Sequence, residues 1–138
     1  MIIDTSAVAA LLFAEPTWRR VRHVLRHETG PRMLSAGTLV ELNIVVIREL
    51  GPTGLDAMGR LIHSVPIDIA PVTEEDARLA GEAYLRYGKG MGHPAQLNFG
   101  DCFGYALAKR TGEPLLCLGN DFARTDLDLV HVPDWVNE

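Results

Sequence analysis

Short apolar runs alternate with longer stretches of helical periodicity along the chain, and this alternation constrains the fold more than any other feature. Runs of two to four apolar residues, each followed by a helical pattern, make β–α units whose strands lie parallel and are covered by helices. Met1-Ile2-Ile3 reads as a first strand ending at Asp4, and Ser6 is placed to cap a helix to residue 14, stopped by Glu15-Pro16. A helix over 17–28 would bury Trp18, Val21 and Leu25. Met33-Leu34 is a second strand, Ser35 caps a long helix reaching Leu50, and another helix covers 53–64. Pro66-Ile67-Asp68-Ile69 reads as a third strand. Thr73 with Asp76 three residues on has the form of a capping box opening a helix to Tyr87. Residues 88–94 are a glycine-rich loop, and a helix over 99–111 is stopped by Gly112. Leu115-Leu116-Cys117-Leu118 is a fully apolar strand, and Leu129-Val130-His131-Val132 completes a set of five. The expected fold is α/β, a three-layer α/β/α sandwich around a five-stranded parallel sheet.

The chain has 138 residues, 47% of them hydrophobic, which suits one domain over 1–138 with a core that needs no staples. No repeat or linker interrupts it. No apolar run approaches the ~20 residues of a membrane span. The opening residues lack a basic stretch and carry an acid at position 4, unlike a secretory signal. Two cysteines make no disulfide framework, so a reduced, cytoplasmic setting is expected. Thirteen Lys and Arg against 18 Asp and Glu give a net charge of -5, which disfavours holding duplex DNA by charge alone. It leaves room for an enzyme whose acids gather around metal.

Three acids stand where sheet proteins place function. Asp4 ends the first strand, Asp101 opens a helix, and Asp121 follows the buried strand after Gly119-Asn120. Each alone is as readily a cap or dipole partner. Together they are harder to dismiss, because right-handed crossovers bring strand ends to one edge. Glu41 is surrounded by apolar neighbours, with no cation at helical spacing, so its charge needs a partner from elsewhere. A metal ion would serve, and a hydrogen-bonded core acid is the alternative. Oxygen donors without zinc-spaced His or Cys point to Mg²⁺ or Mn²⁺. The matching chemistry is two-metal phosphodiester hydrolysis, one ion activating water and the other steadying the leaving oxygen.

These residues also resemble a known family. Met1-Ile2-Ile3-Asp4-Thr5-Ser6-Ala7 resembles the opening of PIN-domain ribonucleases. Tyr87-Gly88-Lys89-Gly90, then Leu97-Asn98-Phe99-Gly100-Asp101-Cys102-Phe103 and Tyr105-Ala106-Leu107-Ala108, are similar to VapC toxins, and Gly119-Asn120-Asp121-Phe122 with Thr125-Asp126 resembles their closing motif. The resemblance implies a PIN-like five-stranded sheet and an Mg²⁺- or Mn²⁺-dependent endoribonuclease. It also implies a homodimer inhibited by a VapB-type antitoxin. By position, Asp4 and Asp101 become central metal ligands and catalytic residues, with Glu41 and Asp121 completing the quartet. Thr5 or Ser6 would hold Asp4 or a water. Position 120 is Asn where relatives often carry a second acid, leaving Asp126 as an auxiliary.

Arg19, Arg22 and Arg26 share a helical spacing that suits RNA phosphates, with Lys89 a further candidate, though a solvated helix face fits as well. The 88–92 glycines lack Walker spacing. Cys102 has no basic partner to make it a nucleophile. A PIN-like interaction module without catalysis, and a metal-dependent DNA nuclease, are the rival readings.

Overall fold

Ile2 and Ile3 form strand β1 (Ile2–Ile3), and both are essentially inaccessible to solvent although they point to opposite faces. A strand buried on both sides must be central in a covered sheet. In the computed structural model, which describes residues 1–137, β1 pairs in parallel with β2 (Met33–Ser35) and with β4 (Leu115–Leu116). Strand β3 (Asp68–Ala70) pairs with β2, giving the order β3-β2-β1-β4.

The helices split between the two faces. Helices α1 (Thr5–Leu12), α2 (Trp18–His27), α3 (Ala36–Leu50) and α4 (Gly54–Ser64) enclose a core that takes Ile3, Leu34 and Leu116 from the sheet. Helices α5 (Glu74–Tyr87) and α6 (Asp101–Thr111) enclose the other, which takes Ile2 and Leu115. Adjacent strand residues thus feed different cores, as the period of two requires. Each of these aliphatic side chains removes about 1.5–3 kcal/mol of apolar surface from water, so burial holds the three layers together.

Local signals set the helix ends. Ser35 Oγ accepts from the Gly37 amide at the start of α3, and Thr73 and Asp76 form the reciprocal capping box at α5. Arg110 of α6 donates from Nε to the buried Asp76 at 2.5 Å, tying the two helices together. Gly112 takes the left-handed conformation that ends α6 (φ 73°).

Two expectations are corrected. Among the described residues the sheet has four strands, not five: the 129–132 segment meets β4 through a single bridge, Leu115 to Leu129. Pro133 has no amide to extend a ladder, and its carbonyl instead accepts from Arg20 Nε at 2.5 Å. The cap of α1 is Asp4 rather than Ser6, because the Asp4 carboxylate accepts the Ser6 amide proton. Among the described residues, no helix is long and apolar enough to cross a membrane.

Candidate active site

Asp4 leaves the carboxyl end of β1 and is only 6% exposed. Its Oδ2 accepts from the Ser6 amide at 3.1 Å and from Ser6 Oγ at 2.6 Å. The same Ser6 hydroxyl oxygen accepts from the Leu118 amide at 2.9 Å, so the end of β4 clamps the clamp. Burial raises the Asp4 pKa, opposed by the hydrogen bonds from Ser6 and Thr5, and the Glu41 charge raises it further.

Asp101 occupies the first turn of α6. Asn98 braces it reciprocally: the Asn98 amide donates to Asp101 Oδ2 at 3.0 Å and the Asp101 amide donates to Asn98 Oδ1 at 2.9 Å. Its pKa is pushed up to about 6, first by burial and then by the charges of Asp4, Asp121 and Glu41, against the Asn98 hydrogen bond. Three acids from other elements thus lie within electrostatic reach of Asp101. Cys117 beside them is pushed up to about 12 by burial and by Asp4, Asp101 and Asp121. Burial and Asp101 push Cys102 up to about 11, so it is a thiol at neutral pH and no nucleophile.

Glu41 reaches the site from the second turn of α3. It is half-buried rather than enclosed, and Thr5 Oγ1 donates to its Oε1 at 2.7 Å. The hydroxyls are thus divided: Ser6 holds Asp4 and Thr5 holds Glu41. The Glu41 carboxylate lies over Gly100, filling the space that a Cβ there would occupy. A Cβ on Gly104 would come within 3.9 Å of Asp4 Oδ1. Asp121 follows β4 and is exposed at the start of the 3₁₀ turn Phe122–Arg124.

Residues 1–127 match the family model described as PIN domain. The chain belongs to the PIN-domain family. Within it, the chain is similar to Ribonuclease VapC42 of Mycobacterium tuberculosis, 42% identical over 127 residues, which is 92% of this chain and 96% of that protein. Among solved structures it resembles M. tuberculosis VapC20, described as a sarcin-ricin loop cleaving toxin, with a TM-score of 0.77 and 21% identity over 94% of this chain and 97% of that one. It also resembles VapBC-1 of nontypeable Haemophilus influenzae, with a TM-score of 0.71 and 18% identity over 94% and 95% of the two chains. At such identities the structures speak for the fold alone.

The donor set of this PIN domain suits a hard divalent cation. It is all oxygen, and the groups that hydrogen-bond Asp4 and Asp101 are the Ser6 hydroxyl and the Ser6 and Asn98 amides, none cationic. Among the described residues, no three acid, His or Cys side chains form a ready metal cage. An open carboxylate cluster fits Mg²⁺ or Mn²⁺, which keep several waters. Asp4, Asp101, Glu41 and Asp121 are the residues that could hold it.

The remaining expected residues lie elsewhere. Asp126 accepts from Tyr105 Oη at 2.6 Å and from Lys109 Nζ at 2.9 Å, with Arg86 at 3.6 Å. These partners, working against some burial, hold its pKa below the usual carboxylate range. It braces α6 against the chain end rather than joining the acids. The Arg19 and Arg22 guanidinium groups sit 4.9 Å and 4.5 Å from the Trp18 ring centre. Arg22 and Arg26 line a cavity with Arg32 and Pro66, which precede β2 and β3, so they stand at the opposite end of the sheet from Asp4. Lys89 is exposed in the loop after α5.

Sequence reasoning missed roles for Asn98, Gly100 and Gly104. The Asn98–Asp101 spacing is that of a side chain capping a helix amide. Two glycines four apart around Asp101, on a helix needing none, signalled a close approach.

Proposed function

We propose that this chain is the toxin of a type II toxin–antitoxin pair and cuts RNA as a metal-dependent endoribonuclease. What supports the reading is that the charges of Asp4, Asp121 and Glu41 all act on Asp101, in a chain similar to VapC ribonucleases over nearly its whole length. With Mg²⁺ or Mn²⁺ bound, the ion would supply an activated water and charge stabilisation at the phosphate. The protein's own work is to orient the donors. Ser6 fixes the rotamer of Asp4, Thr5 that of Glu41, and Asn98 that of Asp101. Burial first, and the neighbouring acids after it, raise the pKa of Asp4 and Asp101, and a bound cation would offset both costs of ionisation.

The same acids that attract metal attract an arginine, so a VapB-type antitoxin would inhibit by presenting one to them. VapBC-1, a neighbour in fold, supports such a partner. We read the protein as a cytoplasmic homodimer. Arg19, Arg22, Arg26 and Lys89 would meet the RNA backbone away from the cut phosphate.

The test is cleavage of single-stranded RNA and of DNA in Mg²⁺, Mn²⁺ or EDTA. RNA cut only with metal, and DNA spared, is the expected result. DNA cut in preference would move the assignment to a DNA nuclease, and no cleavage of either would leave an interaction module.

A further inference from the structure

The chain leaves β4 through Cys117 and Leu118 and turns at Gly119-Asn120 to reach Asp121. This turn forms one wall of a cavity of about 510 Å³, closed on its other sides by Arg20 of α2 and by the 129–134 segment with His131 and Asp134. The cavity adjoins the acids. The Leu118 amide donates to Ser6 Oγ at 2.9 Å and Ser6 Oγ donates to Asp4 Oδ2 at 2.6 Å, so two hydrogen bonds join its wall to Asp4. Cys117 on the same wall lies within reach of the charges of Asp4, Asp101 and Asp121. A Cβ on Gly119 would meet nothing within 4 Å, so the turn borders open space.

A chain of net charge -5 that binds a polyanion must bring a cation close to its acids. Arg22 and Arg26 do not, since they line the cavity at the far end of the sheet. Arg20 is two residues from Arg22, which at 3.6 residues per turn is roughly 200° around the helix. It faces the 129–134 segment, where its Nε donates to the Pro133 carbonyl at 2.5 Å. Asp134 Oδ1 is 3.9 Å from its Nη2, beyond hydrogen-bonding distance, and the Asp134 side chain is fully exposed. Among the described residues no other group accepts from the Arg20 guanidinium. The tie at Nε fixes the plane of the group and leaves Nη1 and Nη2 as a fork, the geometry that pairs with a phosphate. Asn120 and His131, both exposed, add an amide and ring nitrogens to the same space.

We propose that this cavity is the subsite for the nucleotide flanking the scissile phosphate of the RNA. The phosphate one removed from the cut pairs with Nη1 and Nη2 of Arg20, and Asn120 and His131 hydrogen-bond the ribose and base. The volume is that of a small-ligand site. The proposal rests on the ribonuclease reading and names a contact by which that site holds its strand. An anchored guanidinium among polar groups, beside the acids, favours a nucleotide over an apolar segment of a protein partner.

The experiment uses the full chain with Arg20→Gln, Arg20→Lys and His131→Ala. Steady-state cleavage of a short single-stranded RNA gives KM and kcat. Binding is measured on an Asp101→Asn background with oligoribonucleotides in which one linkage at a time is an uncharged methylphosphonate. A 2′-deoxynucleotide beside each such linkage keeps it stable, and the matching 2′-deoxy phosphodiester is the control. Arg20→Gln should raise KM about tenfold with a much smaller fall in kcat, and Arg20→Lys should recover part of the loss. The slope of log K against log salt should fall by about 0.7 in Arg20→Gln. His131→Ala should raise KM about threefold. One methylphosphonate next to the cut should weaken binding by the parent and have no further effect in Arg20→Gln, a coupling that a merely structural tie to Pro133 would not produce. Absence of RNA cleavage by the unaltered chain sinks the ribonuclease reading and the subsite with it. Normal cleavage by the unaltered chain, with every methylphosphonate penalty kept in Arg20→Gln, overturns the subsite alone. So does unchanged RNA binding by Arg20→Gln with lost antitoxin binding, which would give the cavity to a protein.

Discussion

Replacing Asp101 by Asn should make the metal-free protein more stable, and only above a definite pH. A carboxyl whose pKa is raised from 3.8 to about 6 on folding carries an ionisation penalty of at most about 3 kcal/mol. The side chain is partly open to water, and screening reduces this to roughly 1–2 kcal/mol. The penalty is fully present above pH 6. As pH falls through 6 toward 3.8, Asp101 protonates in the folded state first and the penalty disappears. Asp101→Asn removes the charge and keeps an oxygen for the Asn98 amide. In EDTA at pH 8 the variant should therefore melt about 3–8 °C higher than the parent, with the gap closing near pH 4. Metal reverses the order, since only the parent binds it well. An ion at a hundred times its Kd adds about 2.7 kcal/mol. Thermal unfolding at both pH values, with EDTA and with Mn²⁺, checks all of this. A variant less stable than the parent in EDTA at pH 8 would refute the view that Asp101 sits in a repulsive, desolvated cluster.

Other variants separate the parts of the site. Ser6→Ala removes the hydroxyl shared by Asp4 and the Leu118 amide, and should cost about 1–3 kcal/mol in urea unfolding together with most of the activity. Gly100→Ala puts a methyl group where the Glu41 carboxylate lies. Glu41 can swing away, so stability should change by less than about 1 kcal/mol while cleavage falls at least about tenfold. Asp126→Asn, outside the cluster, should lose about 1 kcal/mol of stability and leave cleavage per folded molecule unchanged; a matching loss of metal binding would return Asp126 to the site.

The layers of the fold were legible because period-two burial and helix caps are local. Ile2 and Ile3, Ser35, and the Thr73–Asp76 box each do what their neighbours in sequence imply. The fifth strand was not legible, since pairing beyond Leu129 depends on where the tail goes and Arg20 takes the Pro133 carbonyl. The acids at strand ends could be named, but not their partners. Whether Thr5 bonds Asp4 or Glu41 depends on how α3 approaches α1, a tertiary distance with no sequence period. Asp126 looked like a spare ligand because its cations, Lys109 and Arg86, are 17 and 40 positions away.

The proposed function stands or falls on whether four acids from separate elements form one metal site that cuts RNA. Its most direct test pairs Mn²⁺ titration calorimetry with cleavage of single-stranded RNA on the same samples of parent, Asp4→Asn, Asp101→Asn and Asp126→Asn. Asp4→Asn and Asp101→Asn should lose metal affinity and cleavage together, while Asp126→Asn keeps both. Undiminished cleavage by Asp101→Asn would contradict it.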